Sequence, residues 1–230
     1  MKLLLLSNSG SPDGSFLIHA LDLIRTLAGG CTRALFVPFA GVTFSWDDYT
    51  AKVQAALDPT GLKLFGAHTA DSDAIGRAEL IVVGGGNTFQ LLKECRRRGM
   101  LEAIRASVRT GTPYVGWSAG ANLASPTICT TNDMPIVDPN GFEALGLVGF
   151  QINPHYTNAL PAGHEGETRN QRIDEYLVAN PQATVVGLPE GDWLEVNDDT
   201  TTFGGLQTGY MFCHGETPQE LHQGQIVHIP

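Results

Sequence analysis

Between residues 113 and 124 the chain reads PYVGWSAGANLA. Ser118 stands directly after an apolar run and directly before a run of small helix formers, flanked by Gly116 and Gly120 as G-W-S-A-G. This is the G-x-S-x-G elbow, in which a sharp strand-to-helix turn lifts a serine hydroxyl out of a sheet and glycines prevent collisions at the turn. A glycine-rich turn that only packs helix on strand would use the same residues, but a strand before and a helix after are the context the elbow requires. A nucleophilic serine also needs preorganised donors for the oxyanion that develops on its substrate. Gly84-Gly85-Gly86-Asn87 follows the run ELIVV and opens NTFQLLKEC, so its free amides fall where a neighbouring strand's elbow would sit. The Gly86 amide, paired with that of Ala119, is the expected oxyanion hole. The competing use of such a loop is a phosphate cradle, but neither G-x-G-x-x-G nor G-x-x-x-x-G-K-S/T is present.

A serine hydroxyl at neutral pH needs a general base, normally a histidine held in one tautomer by a carboxylate. Of the seven histidines, His155 in FQINPHYTN follows an apolar strand and a proline, at a strand end where active-site loops of open α/β sheets gather. His19 lies in an apparent helix and reads as structural; His222 and His228 lie in the terminal tail without a catalytic context. Two acids compete to orient His155. Asp133, in TTNDMPIVD, lies between serine and histidine in the order of α/β-hydrolases, and Glu190, in VVGLPEGDW, ends another strand. Their ordinary readings are a turn-forming aspartate and a hairpin carboxylate, and sequence order does not choose between them.

These residues need a scaffold, and the chain supplies short apolar runs at Leu3–Leu6, Ala34–Pro38, Leu80–Val83, Tyr114–Trp117 and Thr184–Leu188, separated by segments of helical composition. That alternation predicts an α/β fold with a mainly parallel sheet flanked by helices, at about 15–28, 47–58, 87–97, 99–109, 119–124 and 168–179. Runs apolar at every position, such as LIVV, suit strands buried on both faces. Asp192–Val196, Thr200–Phe203, Gly209–Cys213 and Gln225–Ile229 read as short strands of an antiparallel C-terminal edge. With no internal repeat or linker, residues 1–230 are expected to form a single domain.

Composition narrows the partners. A chain of 230 residues, 42% hydrophobic, can bury one sizeable core. Its 24 acidic against 14 basic residues give a formal charge of -10, which repels nucleic-acid phosphates and anionic lipid, so neither partner is expected. The run Arg96, Arg97, Arg98 follows a helical stretch and reads as a solvated face. Four cysteines without a CxxC pair suggest neither a zinc cage nor a disulfide framework, and fit reduced thiols in the cytoplasm. The opening MKLLLLSNSG is far short of a secretory or membrane-spanning segment and reads as a buried first strand.

Over essentially its whole length the chain resembles the peptidase E family of α-aspartyl dipeptidases, within the serine peptidases that include cyanophycinase. The resemblance is carried by LLLLSNS, FVPFAGVT, WDDYTAK, VVGGGNTFQLLK, GWSAGANLASPTICTTNDMPIVDP, QINPHYTNALP, GHEGETRNQRI and VVGLPEGDW. It implies cytosolic cleavage of dipeptides with an amino-terminal aspartate through an acyl-enzyme on Ser118, without metal or cofactor. The sequence leaves the oligomeric state open between monomer and homodimer. The implied fold is similar to that of class I glutamine amidotransferases, a flavodoxin-like arrangement, with serine in place of their cysteine. His155 carries over as base, and the third member stays Asp133 or Glu190. Amidotransferases place a glutamate two residues after the histidine; here that position is Thr157, which favours Glu190 slightly. Arg169, in GHEGETRNQRI, matches the family's motif and is expected to fork onto the substrate's aspartate side chain, with Asn87 also against the substrate. A net charge of -10 opposes an acidic substrate at long range, although screening over roughly 8 Å limits this. A local arginine is the remedy. The ordinary reading of this segment is a surface ion-pair pattern of Glu167, Arg169, Arg172, Asp174 and Glu175, which suits Arg172 better than Arg169. A cyanophycinase-like β-aspartyl peptidase is the nearest alternative, against which NDMPIVDP and GETRNQRI argue. A flavodoxin-like nucleotide-binding module using GGGN would leave the Ser118 elbow without a purpose.

Overall fold

A computed structural model describes residues 1–11, 13–71, 73–160, 163 and 165–229; Pro161 of QINPHYTNALP and His164 of GHEGETRNQRI lie outside them. In chain order the elements are β1 (Lys2–Leu6), α1 (Leu21–Ala28), β2 (Arg33–Val37), α2 (Trp46–Leu57), β3 (Lys63–Gly66), β4 (Leu80–Val83), α3 (Thr88–Arg97), α4 (Met100–Arg109) and β5 (Tyr114–Trp117). There follow α5 (Ala119–Leu123), β6 (Gln151–Pro154), α6 (Arg169–Ala179), β7 (Thr184–Leu188), β8 (Trp193–Asn197), β9 (Thr200–Gly204), β10 (Gly209–Cys213) and β11 (Gln219–Leu221).

Among the described residues the strands form two sheets. The larger has the order β3-β2-β4-β5-β1-β8-β9, and its first five strands are parallel. Alternate side chains of a strand point to opposite faces, so an all-apolar strand feeds two cores. Leu3 and Leu5 of β1 join a cluster containing Leu91, Leu92 and Ile104 of α3 and α4, whereas Leu4 and Leu6 join one containing Ile24, Val53 and Leu57 of α1 and α2. Each such leucine contributes about 1.5–3 kcal/mol when fully buried, which is why the register of these strands is firm. The antiparallel β8 and β9 close one edge.

The second sheet has the order β11-β10-β7-β6. Thr184–Leu188, which reads from sequence as one more strand of the parallel sheet, pairs here instead with β6, parallel, and with β10, antiparallel. The expected strand Gln225–Ile229 does not form. That segment makes only an isolated bridge from Ile226 to Thr202 and drops Val227 into the core, while the partner of β10 on its side away from β7 is the more polar Gln219–Leu221. The expected helix at 15–28 begins later, because Leu17 takes a left-handed conformation (φ 59°) before a short 3-10 turn and α1. Among the described residues no helix is long and apolar enough to cross a membrane.

Candidate active site

β5 passes into α5 through Ser118 alone, which takes φ 52° and ψ -113°. A positive φ is costly for a residue with a Cβ, and it is held by packing on both sides. Ser118 N donates to Leu6 O at 3.1 Å, and Gly120 lies so close to β4 that a Cβ there would meet Val83 O at 2.2 Å. Gly120→Ala must therefore push α5 off the sheet. We expect it to lower stability by about 1–3 kcal/mol, read as a reduced urea midpoint.

The histidine and its carboxylate come from the second sheet. β6 and β7 run parallel with Pro154 opposite Leu188, so the residues just beyond them, His155 and the Pro189–Gly191 turn, emerge side by side. His155 Nδ1 lies 2.7 Å from Glu190 Oε1, and its Nε2 lies 2.8 Å from Ser118 Oγ. Ser7, immediately after β1, locks the two sheets together at this point: its hydroxyl donates to Leu188 O at 2.7 Å and accepts from His155 N at 2.8 Å. Asn8 Oδ1 accepts from Gly191 N at 2.8 Å and so fixes the turn that carries Glu190. Neither Ser7 nor Asn8 stood out as a positioning residue from sequence, since a serine and an asparagine after a strand are ordinary loop residues.

The glycine loop lies on the other side of Ser118, because β4 and β5 are paired neighbours. Gly86 has φ 132°, and a Cβ there would meet Ala40 O at 2.2 Å, so only glycine fits. Its N–H has no acceptor among the described residues. Ala119 opens α5, and its N–H is one of the donors that a helix start leaves without an intrahelical partner. Tyr49 anchors the loop by donating to Gly85 O at 3.0 Å while accepting from Trp117 Nε1 at 3.2 Å. Burial pushes the Tyr49 phenol up to about 12, so it stays a proton donor at neutral pH. Ser118, His155, Glu190 and Gly86 border one cavity of about 740 Å³.

Other expected residues lie elsewhere. Asp133 is bound at the start of α3, where its Oδ2 accepts from Thr88 N at 2.7 Å, from Thr88 Oγ1 at 2.5 Å and from Thr131 Oγ1 at 3.0 Å. The Asn87 side chain caps α3, accepting from Gln90 N at 3.0 Å and donating to Met134 O at 2.9 Å, and does not border the Ser118 cavity. Arg169 borders a separate cavity of about 250 Å³ with Asn132, Asp133 and Asn153. It forms no ion pair among the described residues, and burial first, then Arg172, pulls its pKa down. Arg172 lies 3.8 Å from exposed Glu167, as its ordinary reading expects. The arginine run is less solvated than expected: Arg96 bonds Pro139 O and Glu143, and Arg98 pairs with Glu94 over the ring of Phe39. His19, read as structural, borders the Ser118 cavity. Among the described residues no three His, Cys, Asp or Glu side chains cluster as a metal site needs.

In this geometry a serine proton can pass to a histidine whose other nitrogen faces a carboxylate, beside an unpaired amide, which is the equipment of acyl-transfer hydrolases. The chain belongs to peptidase family S51, whose family model matches residues 3–204, and is a serine-type peptidase. It is 58% identical over 226 residues to Peptidase E of Citrobacter koseri, covering 97% of this chain and 99% of that one. Against Peptidase E of Escherichia coli O1:K1 / APEC the identity is 57% with the same coverage. Among solved structures, a peptidase from an acI-B1 actinobacterium superposes with a TM-score of 0.72 at 18% identity, covering 98% of this chain and 96% of that one. A putative peptidase E protein from Listeria monocytogenes gives 0.65 at 24%, over 90% and 98%. At these identities the structural likeness speaks for the fold.

Proposed function

We propose that this serine dipeptidase cleaves dipeptides with an amino-terminal aspartate through an acyl-enzyme on Ser118. The observation that carries the reading is the continuous hydrogen-bond path from Ser118 Oγ through His155 to Glu190. Ser118 Oγ attacks the scissile carbonyl as its proton moves to His155 Nε2. The oxyanion is held by the Gly86 and Ala119 amides. His155 then gives the proton to the leaving amine, and a water, deprotonated by the same nitrogen, releases aspartate. Glu190 holds the imidazole with Nδ1 protonated. The reading needs no metal or cofactor, and it suits a cytoplasmic enzyme working as one domain.

The aspartate preference is assigned to Arg169. A half-buried guanidinium without an anionic partner is suited to accept one from a ligand. Its cavity is separate from that of Ser118, but the two flank the end of β6: Asn153 borders the first, His155 the second, and Asn132 of the first donates to Pro154 O at 2.7 Å. A substrate lying across the end of β6 would put its side-chain carboxylate on one side and its scissile bond on the other. Asn-X is nearly the size of Asp-X but neutral, so a charge-reading pocket rejects it, and Glu-X displaces the scissile carbonyl by a methylene. A panel of Asp-X, Glu-X, Asn-X and β-Asp-X tests the reading, and a preference for β-Asp-X would point to the cyanophycinase-like activity instead. Arg169→Met should lower kcat/KM for Asp-X by about 2–3 kcal/mol, the order for breaking a charged pair, and affect Asn-X far less. Equal losses on both substrates would make Arg169 structural.

A further inference from the structure

After α6 the chain crosses between the two sheets twice. β7 of the second sheet leads through residues 189–192 into β8 of the first, and β9 of the first leads through residues 205–208 back into β10 of the second. Glu190 stands in the first crossing, and Gln207, which borders the Ser118 cavity, stands in the second. One side chain joins the two crossings. Asp192, only 1% exposed, accepts through Oδ1 from Gln207 N at 3.2 Å.

The contact is tight. Gly205 takes φ 122°, and a Cβ there would lie 1.9 Å from Asp192 Oδ1, so the second crossing can rest on this carboxylate only with glycine at that position. Backbone amides, and no cation, hold the charge: burial pushes the Asp192 carboxyl above its ordinary range, and the amides of Gln207 and Leu206 pull it back down. Its Oδ2 has no hydrogen-bond partner among the described residues. A buried carboxylate on those terms is a costly way to join two loops. What it contributes is placement.

The group placed is the turn that carries Glu190. Asp192 N donates to Pro189 O at 3.2 Å across Gly191, which takes φ 87°, and so closes that turn. The Glu190 side chain is 65% exposed and bonds only His155 Nδ1 among the described residues, so the carboxylate goes where the turn goes. Towards β1 the turn is fixed by Asn8 on Gly191 N and by Ser7 N on Asp192 O at 3.0 Å. Towards the crossing from β9 to β10 it is fixed by the Asp192 side chain. We propose that Asp192 is a positioning residue of this hydrolase, which pins that crossing to the Glu190 turn and thereby sets the Glu190 carboxylate against His155 Nδ1. The inference rests on the reading of Ser118, His155 and Glu190 as the catalytic set and adds a residue that acts through one of them.

The test is a double-mutant cycle on Asp192→Ala and Glu190→Gln, read as turnover of the preferred dipeptide and as the rate at which a fluorophosphonate labels Ser118. Labelling reports activation of the serine whatever the aspartate preference proves to be. Asp192→Ala should lower both rates by about ten- to hundredfold, the range for displacing a catalytic group by up to an ångström. In the Glu190→Gln background the same substitution should cost at most about twofold more, because residues that act as a unit are not additive. Asp192→Asn keeps an oxygen acceptor for the Gln207 amide and should restore most of the activity. Gly205→Ala drives the crossing off Asp192 from the other side and should reproduce the loss with Asp192 intact, which keeps the test open if the alanine variant at 192 fails to fold. Losses that multiply in the double variant, wild-type rates in Asp192→Ala or Gly205→Ala, or an asparagine variant as impaired as alanine overturn the inference while the catalytic set stands. Wild-type rates in Glu190→Gln alone would remove Glu190 from that set, and this inference with it.

Discussion

Ser118→Ala is expected to lower Asp-X hydrolysis by about three to six orders of magnitude without lowering the melting temperature. The two halves of that expectation have separate causes. Among the described residues Ser118 Oγ is the only hydroxyl bonded to His155 Nε2, so its removal leaves the base with nothing to activate but water. The fold does not depend on the hydroxyl, since Ser118 is fixed by its backbone bond to Leu6 O, and alanine keeps the Cβ. The strained φ of 52° sharpens the test. Ser118→Gly removes the Cβ that makes this conformation costly and should raise stability by about 1 kcal/mol, while being as inactive as alanine. A fluorophosphonate should label the wild type stoichiometrically at Ser118 and neither variant. An alanine variant retaining a tenth of the wild-type turnover would sink the serine mechanism.

The elbow is legible from sequence because all of it is local. Strand, serine, glycines and helix occupy one unbroken segment, and the constraint at Gly120 comes from the adjacent β4, whose own glycine loop is equally recognisable. The partners of His155 are less legible because they depend on pairing. The run Thr184–Leu188 shows that a buried strand exists, but its periodicity does not say that its neighbours are β6 and β10 rather than the central sheet. Only that pairing sets Glu190 beside His155. Ser7 was hidden for a similar reason: it works through backbone groups 148 and 181 residues away. The strands missed, β3 and β11, are three or four residues long and partly exposed, so they carry little apolar pattern.

Glu190→Gln is expected to lower turnover by about two to three orders of magnitude, and Asp133→Asn to leave it close to wild type. The geometry gives the direction. His155 Nδ1 faces Glu190 at 2.7 Å, whereas Asp133 is occupied by Thr88 and Thr131 at the start of α3. An amide in place of the orienting carboxylate can hold the ring but loses the charge that stabilises imidazolium and can present N–H to Nδ1, favouring the wrong tautomer. For a buried carboxylate in a serine protease that change costs about four orders of magnitude. Glu190 is 65% exposed and His155 38%, so water can take over part of the role, and the loss should fall short of that figure, nearer the lower part of the range for general acid–base catalysis. Asp133→Asn should appear in stability instead. It removes a negative charge from the amino-terminal end of α3 and weakens a bond to Thr88 N, a loss of about 0.5–1 kcal/mol. Steady-state kinetics and urea titrations on the two variants separate these effects. A large kinetic loss in Asp133→Asn with near-normal activity in Glu190→Gln would reverse the assignment, and near-normal activity in both would mean that neither carboxylate orients His155.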